Sequence, residues 1–183
     1  MTQALGFALF PTAIGHCGVA WGEHGIVCMQ LPETSEAATR SRMARRCPGV
    51  PESDPPADVK EVMRQVTALL DGADVDLSQV PLDMDGIPEF NRRVYEITQA
   101  IPRGQTLTYG EVASKMNDPG AARAVGQALG ANPFAPIVPC HRVLAAGTQL
   151  GGFSARGGLT TKLKMLGIEG ARITEAQSPG LFD

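Results

Sequence analysis

The tightest constraint on this chain lies between Thr108 and Gly130, where two short helical stretches are separated by almost nothing. Thr108 stands three residues before Glu111. At that spacing a threonine hydroxyl and a glutamate carboxylate each satisfy a free backbone N–H at a helix start. Tyr109 to Met116 then reads as a helix, Asn117-Asp118-Pro119-Gly120 as a tight turn, and Ala121 to Leu129 as a second helix. Two short helices joined in this way form a helix-turn-helix. The second helix is thin. Ala121, Ala122, Ala124, Gly126 and Ala128 give it little bulk, and Arg123 is its only charge. Such a helix suits close approach to a nucleic-acid groove with the arginine as a probe, and it equally suits tight packing on neighbouring elements through its alanines.

Just downstream runs Ile137-Val138-Pro139-Cys140-His141-Arg142-Val143. Cys140 is followed by two potential cations, a neighbourhood that lowers a thiol pKa and favours the thiolate. The flanking Ile137, Val138 and Val143 place the segment in a core, the rigid support that a nucleophile needs. The competing reading makes Cys140 a small buried hydrophobe with His141 as a satisfied polar neighbour.

The remainder of the chain divides at Met84-Asp85-Gly86-Ile87-Pro88, a linker between residues 1–87 and 88–170. Residues 6–31 read as a β-hairpin turning at Gly22-Glu23-His24-Gly25. His16, Cys17, His24 and Cys28 fit no metal-ligand spacing, because neighbours in a strand face opposite ways. Residues 33–47 suit an exposed helix whose arginines, from Arg40 to Arg46, form a solvated face or a phosphate contact. Pro48–Pro56 is a loop, Ala57–Leu70 an amphipathic helix, and Val75–Leu82 a short strand. Beyond the linker, Glu89–Ala100 reads as a helix, with Phe90, Val94, Ile97 and the following Ile101 on one stripe. Leu159–Leu166 is the last helix, and residues 171–183 form a tail. The glycines between Gly147 and Gly158 match no phosphate loop.

Charge separates the halves. Residues 1–87 carry six Lys/Arg against twelve Asp/Glu, whereas residues 88–183 carry ten against seven. The basic excess therefore lies on the half that holds Cys140, which points weakly to an anionic partner there. No apolar run is long enough to span a membrane, no export signal opens the chain, and four cysteines without CxxC spacing favour reduced thiols. A cytoplasmic protein is expected.

The motifs FNRRVYEITQAIPRGQTLTYGEVA, AARAVGQALGANP, IVPCHRV, LGGF and KMLGIEG occur in that order. Together they resemble the O6-alkylguanine-DNA alkyltransferases, also called methylated-DNA–protein-cysteine methyltransferases. The likeness is strong over 88–170 and weak over 1–87. It implies an α+β protein: a small N-terminal, ribonuclease-H-like support domain with an antiparallel sheet, then a mostly helical domain with a winged helix-turn-helix. It also implies the chemistry. Cys140 resembles the nucleophile that takes the alkyl group from guanine O6 and keeps it, so each molecule acts once. His141 matches the base that removes the thiol proton through a water, and Glu169 the carboxylate that orients it. Asn132 matches the residue tying the active-site turn to the helix-turn-helix, and Tyr109 the phenol that donates to guanine N3. Arg123 matches the finger that fills the space of the extruded nucleotide, on a recognition helix that brings Ala121, Ala122 and Gly126 to the minor groove. Val143, Phe153 and Ser154 border the guanine pocket in the likeness. Here the Phe153–Gly158 loop is longer than the commonest pattern, and Phe153 stands where tyrosine is frequent. Positions aligned with a zinc site of some members are Gly22 and Val27, which cannot ligate. No metal and no cofactor are expected. The expected partner is double-stranded DNA bearing O6-alkylguanine, with O4-methylthymine as a second candidate substrate, bound by a monomer.

Three other readings compete. A non-catalytic relative that binds alkylated guanine and recruits other repair would lack the cysteine. A helix-turn-helix regulator with Cys140 as a redox sensor would need a dimerisation element. A Cys-His hydrolase would turn over repeatedly.

Overall fold

The computed structural model describes residues 3–146 and 158–171. The chain forms two compact units: residues up to Ile87 together with Pro133–Ile137, and Pro88–Asn132 together with residues from Val138 onward.

The first unit is built on an antiparallel sheet in the order β1 (Gly6–Thr12), β2 (Gly15–Gly22), β3 (Gly25–Gln30). The expected hairpin is therefore the second half of a three-stranded meander. Its first turn, at Ala13-Ile14, carries no glycine pair. Gly15 supplies the bend instead, with φ 126°, and pairs with Thr12. The second turn closes on Gly25, at φ 132°. Helix α1 (Glu36–Arg46) starts where the Ser35 hydroxyl accepts from Ala38 N at 3.1 Å. It lies over β2 at Gly18, where a Cβ would stand only 2.5 Å from Met43 Cγ. A glycine in mid-strand thus admits the fully buried Met43, which packs with Phe7, Ala20, Cys28 and Cys47. Helix α2 (Ala57–Leu70) buries Val59, Val62, Val66, Leu69 and Leu70, as its apolar period requires.

One expectation fails in this unit. Val75–Leu82 is not a strand: a single parallel bridge joins Leu82 to Ile26. Pro81, with no N–H to donate, uses its carbonyl to accept from Ile26 N at 3.0 Å and stops any ladder there. Conversely, the Pro48–Pro56 loop does touch the sheet. Phe7 N donates to Pro51 O and Ser53 N to Phe7 O, giving one bridge at Glu52. The basic face of α1 is structural in part: Arg40 pairs with Glu36 and Glu52, and Arg46 donates to Met29 O, Gln30 Oε1 and Pro133 O, whereas Arg42 and Arg45 are exposed.

The second unit is helical. Helix α3 (Glu89–Gln99) buries Val94, Tyr95 and Thr98, and the Tyr95 hydroxyl donates to Ala128 O at 2.7 Å. A two-residue strand β4 (Leu107–Thr108) leads into α4 (Tyr109–Lys115). The capping box is present: Glu111 N donates to Thr108 Oγ1 at 3.1 Å, and Thr108 N to Glu111 Oε2 at 2.6 Å. Asn117, at φ 59°, takes the left-handed step that ends α4. A 3-10 turn (Pro119–Ala121) then passes directly into α5 (Ala122–Gly130), so the second helix begins one residue later than its composition suggests. Strand β5 (Val143–Leu144) pairs parallel with β4, and α6 (Leu159–Ile168) follows. No helix among the described residues is long and apolar enough to cross a membrane.

Candidate active site

Cys140 opens a one-turn 3-10 helix, Cys140–Arg142, immediately after Pro139. Backbone bonds fix the turn at both ends, Cys140 N to Val138 O and Arg142 N to Pro139 O, each 2.8 Å. The chain then enters β5, whose pairing of Val143 with Leu107 and of Leu144 with Thr108 holds the turn beside the start of α4. Asn132, two residues beyond the end of α5, donates Nδ2 to Val138 O at 2.9 Å. The turn is therefore tied to both helices of the helix-turn-helix, by β-pairing to one and by Asn132 to the other.

A 3-10 helix turns about 120° per residue, so three successive side chains point in three directions. That separates Cys140 from the cations that follow it. His141 is wholly buried, and its Nε2 lies 2.8 Å from Glu169 Oε1. Arg142 forks onto the same carboxylate, Nε to Oε2 at 2.9 Å and Nη2 to Oε1 at 2.8 Å, while Nη1 donates to Ile101 O at 2.7 Å. Burial raises the Glu169 carboxyl, but the hydrogen bonds and charges of His141 and Arg142 outweigh it and bring it down to about 2. An ionised carboxylate only accepts, so Nε2 carries the imidazole proton and Nδ1 the lone pair. Burial lowers the pKa of His141, and the charge of Arg142 outside the pair adds to that, against the pull of Glu169. Arg142 thus neutralises Glu169, and the imidazole rests uncharged.

The sequence expectation for the thiol is overturned. Burial raises the Cys140 pKa rather than adjacent cations lowering it. A side-chain hydrogen bond from Asn132 and the charge of Lys162 oppose that rise, and Arg142 is occupied elsewhere. Sequence reasoning missed Lys162 altogether. It is fully buried on α6, with Nζ 2.6 Å from Val143 O and 5.7 Å from the centre of the Tyr109 ring. Its signal was its position: Lys162 occupies the buried stripe with Met165 and Leu166, where α6 would ordinarily carry an apolar residue.

Tyr109 is the first residue of α4 and is half-buried. Burial, and then Cys140, raise its phenol, which therefore stays protonated and able to donate. A Cβ at Gly126 would stand 3.8 Å from its ring, an ordinary contact, so the packing against Tyr109 does not itself require glycine there. Helix α5 packs through one face and leaves another open. Val125, Ala128 and Leu129 are buried, whereas Arg123, Gln127 and Gly130 are exposed on one stripe, with Ala121 and Ala122 half-buried. Gln127 was not singled out by sequence, although it lies one turn from Arg123. Val143 is buried in β5. Phe153 and Ser154 lie outside the described residues.

Known proteins resemble this chain in sequence and fold. The family described as 6-O-methylguanine DNA methyltransferase, DNA binding domain, matches residues 89–171. The methylated-DNA–protein-cysteine methyltransferase of Methanothermobacter thermautotrophicus is 35% identical over 156 residues, covering 85% of this chain and 80% of that protein. That of Mycobacterium leprae is 38% identical over 160 residues, covering 87% and 89%. The crystal structure of Mycobacterium tuberculosis OGT in complex with DNA superposes with a TM-score of 0.71 at 34% identity, covering 90% of this chain and 92% of that one.

Proposed function

The chain belongs to the O6-methylguanine-DNA methyltransferase family, and from that premise we propose that it repairs DNA by moving the alkyl group of O6-alkylguanine onto Cys140. The observation that carries the assignment to these residues is a buried thiol at Cys140 on the same turn as a hydrogen-bonded set, neutral His141 and Arg142 on Glu169 at the end of α6.

The tautomer sets the direction of proton flow. Nε2–H is committed to Glu169, so Nδ1 is the nitrogen that takes the Cys140 proton, through a water. The thiolate attacks the alkyl carbon, the S–C bond forms as the C–O6 bond breaks, and the electron pair leaves with guanine. Tyr109, protonated by virtue of its raised pKa, donates to guanine N3 as that charge develops. Glu169 offsets the imidazolium created at His141. The thioether has no route of removal in this scheme, so one molecule repairs one lesion.

The target carbon sits inside the duplex, and a thiol only 6% exposed at the residue level cannot reach it there. The nucleotide must be turned out of the stack. The exposed stripe of α5 supports that step: Arg123 is the group that takes the vacated space, and Gln127 extends the same surface. Val143, with Phe153 and Ser154, is assigned to the guanine pocket by likeness to the family. Residues 1–87 act as the support domain and residues 171–183 as a tail. The four cysteines are free, in keeping with a monomeric protein working in the reducing cytoplasm.

Intact mass after incubation with a duplex carrying one O6-methylguanine tests the reading. A gain of one methylene, saturating at one per protein and absent from Cys140→Ala, is expected. Retained lesion binding without a mass gain would instead indicate a flagging role, and repeated product release would indicate a hydrolase.

A further inference from the structure

We propose that Lys162 is a positioning residue for this reaction, its buried ammonium serving as the fixed counter-charge of the Cys140 thiolate. The inference rests on the alkyl-transfer reading, but it concerns a residue that neither the motifs nor the His141–Glu169 pair includes.

A lysine that is 0% exposed loses its hydration, and a protein keeps such a group only where its surroundings compensate. Here the surroundings are specific. Nζ donates at 2.6 Å to Val143 O, three residues beyond the nucleophile, and lies over the Tyr109 ring at 5.7 Å. Val143 is locked by β-pairing to Leu107, and Tyr109 begins the helix that follows that strand. The ammonium is thus fixed between β5, which follows the Cys140 turn, and the first residue of α4, on a helix whose other buried residues are apolar.

The charges around the thiol leave Lys162 with this task. From α3 comes Tyr95, from α4 Tyr109, both neutral phenols with raised pKa. From the turn itself come His141, neutral at rest, and Arg142, whose guanidinium is spent on Glu169. From α6 comes Lys162, the cation whose field lowers the Cys140 pKa. Burial draws the Lys162 pKa down to about 8, with Cys140 opposing, so the ammonium persists through neutral pH. Lys162 also disfavours a charged His141. A thiolate balanced by lysine therefore outlasts the brief imidazolium, and His141 is left free to pass its proton on. The ammonium does for Cys140 what His141 and Arg142, adjacent in sequence, do not.

The test uses full-length protein labelled with [β-13C]cysteine, with the Cys140 resonance assigned by its loss in Cys140→Ser. Lys162→Met should move the Cys140 titration upward by about one pH unit or more, which is about a tenfold loss of thiolate at neutral pH. Lys162→Arg should keep it near the wild-type value. Single-turnover methyl transfer should fall by about the same factor at pH 7 in Lys162→Met and recover as pH rises. An unmoved Cys140 titration, or a rate loss equal at every pH, would overturn the proposal and leave Lys162 a structural residue. If Lys162→Met does not fold, Lys162→Gln, which keeps a donor for Val143 O, decides by the same titration. If the wild type transfers no methyl group, the alkyl-transfer reading falls, while the titration still judges Lys162.

Discussion

Replacing Arg142 by methionine removes the charge that keeps Glu169 in balance. Three hydrogen bonds disappear: Nε and Nη2 to the carboxylate, at 2.9 and 2.8 Å, and Nη1 to Ile101 O, at 2.7 Å. The carboxylate left behind is 3% exposed and retains His141. Removing one partner from a buried pair costs about 3–5 kcal/mol, most of it the stranded charge. For a protein of this size each kcal/mol moves the melting midpoint by ~2–4 °C, so a fall of roughly 6–20 °C is expected. A second effect follows at His141. Arg142 opposes its protonation, and without that charge the buried carboxylate draws a proton onto the ring. The base is then occupied near neutral pH, and methyl transfer should slow at pH 7 and recover on raising the pH. Adding Glu169→Gln removes the stranded charge, so the double variant should regain most of the lost stability and none of the activity. Thermal melts by circular dichroism and an NMR titration of the His141 ring read both effects. A melting midpoint within about 2 °C of wild type together with an unchanged His141 titration would refute the reasoning.

Tyr95→Phe deletes the hydroxyl that reaches Ala128 O, and chemical denaturation should show a loss of about 1–3 kcal/mol, because both groups are buried. Gly25→Ala places a Cβ 2.5 Å from the Pro81 carbonyl oxygen at φ +132°. About 1–3 kcal/mol of backbone strain, with the clash in addition, should appear as a lowered urea midpoint. Acid should destabilise the fold in two stages. The unfolded chain takes up a proton at His141 below about pH 6.5 and at Glu169 below its ordinary value of 4.5, while the folded chain resists the first and holds the second ionised down to about 2. The melting midpoint should therefore fall from pH 7.5 to 5.5 and again toward pH 3, with the first fall reduced in His141→Asn. A midpoint rising on acidification would contradict both shifts.

What sequence revealed and what it hid follow a physical line. The capping box at Thr108 and Glu111 and the turn at Asn117–Gly120 are local interactions, and they form as their spacing predicts. The apolar faces of α2 and of much of α3 were legible for the same reason. The turn between β1 and β2 escaped because its bend is supplied by Gly15 after an apolar pair. Val75–Leu82 misled because pattern alone does not register that Pro81 stops a ladder. At the site, the Cys140, His141 and Glu169 roles came from the resemblance, but the electrostatics did not. Adjacency in sequence is not proximity of side chains: a 3-10 turn splays neighbours, and the bonds of Arg142 span 27 residues to Glu169. Lys162 reaches Val143 from 19 residues away, which no local pattern encodes.

Residues Pro133–Ile137 belong to the first unit, while Asn132 and Val138, joined at 2.9 Å, belong to the second. Covalently, then, the halves are stitched rather than tethered. A protease cut at the Ile87–Pro88 junction would leave two polypeptides, with residues 1–87 held only by non-covalent bonds to the Pro133–Ile137 excursion, such as Met29 N to Pro133 O at 2.8 Å. A fragment beginning at Pro88 would carry Phe134 and Ile137, both essentially unexposed in the whole protein, with nothing of the first unit to cover them. Such a fragment should be insoluble or poorly folded. The nucleophile lies only three residues past Ile137, so the backbone that carries Cys140 has just left the first unit when it enters the active-site turn.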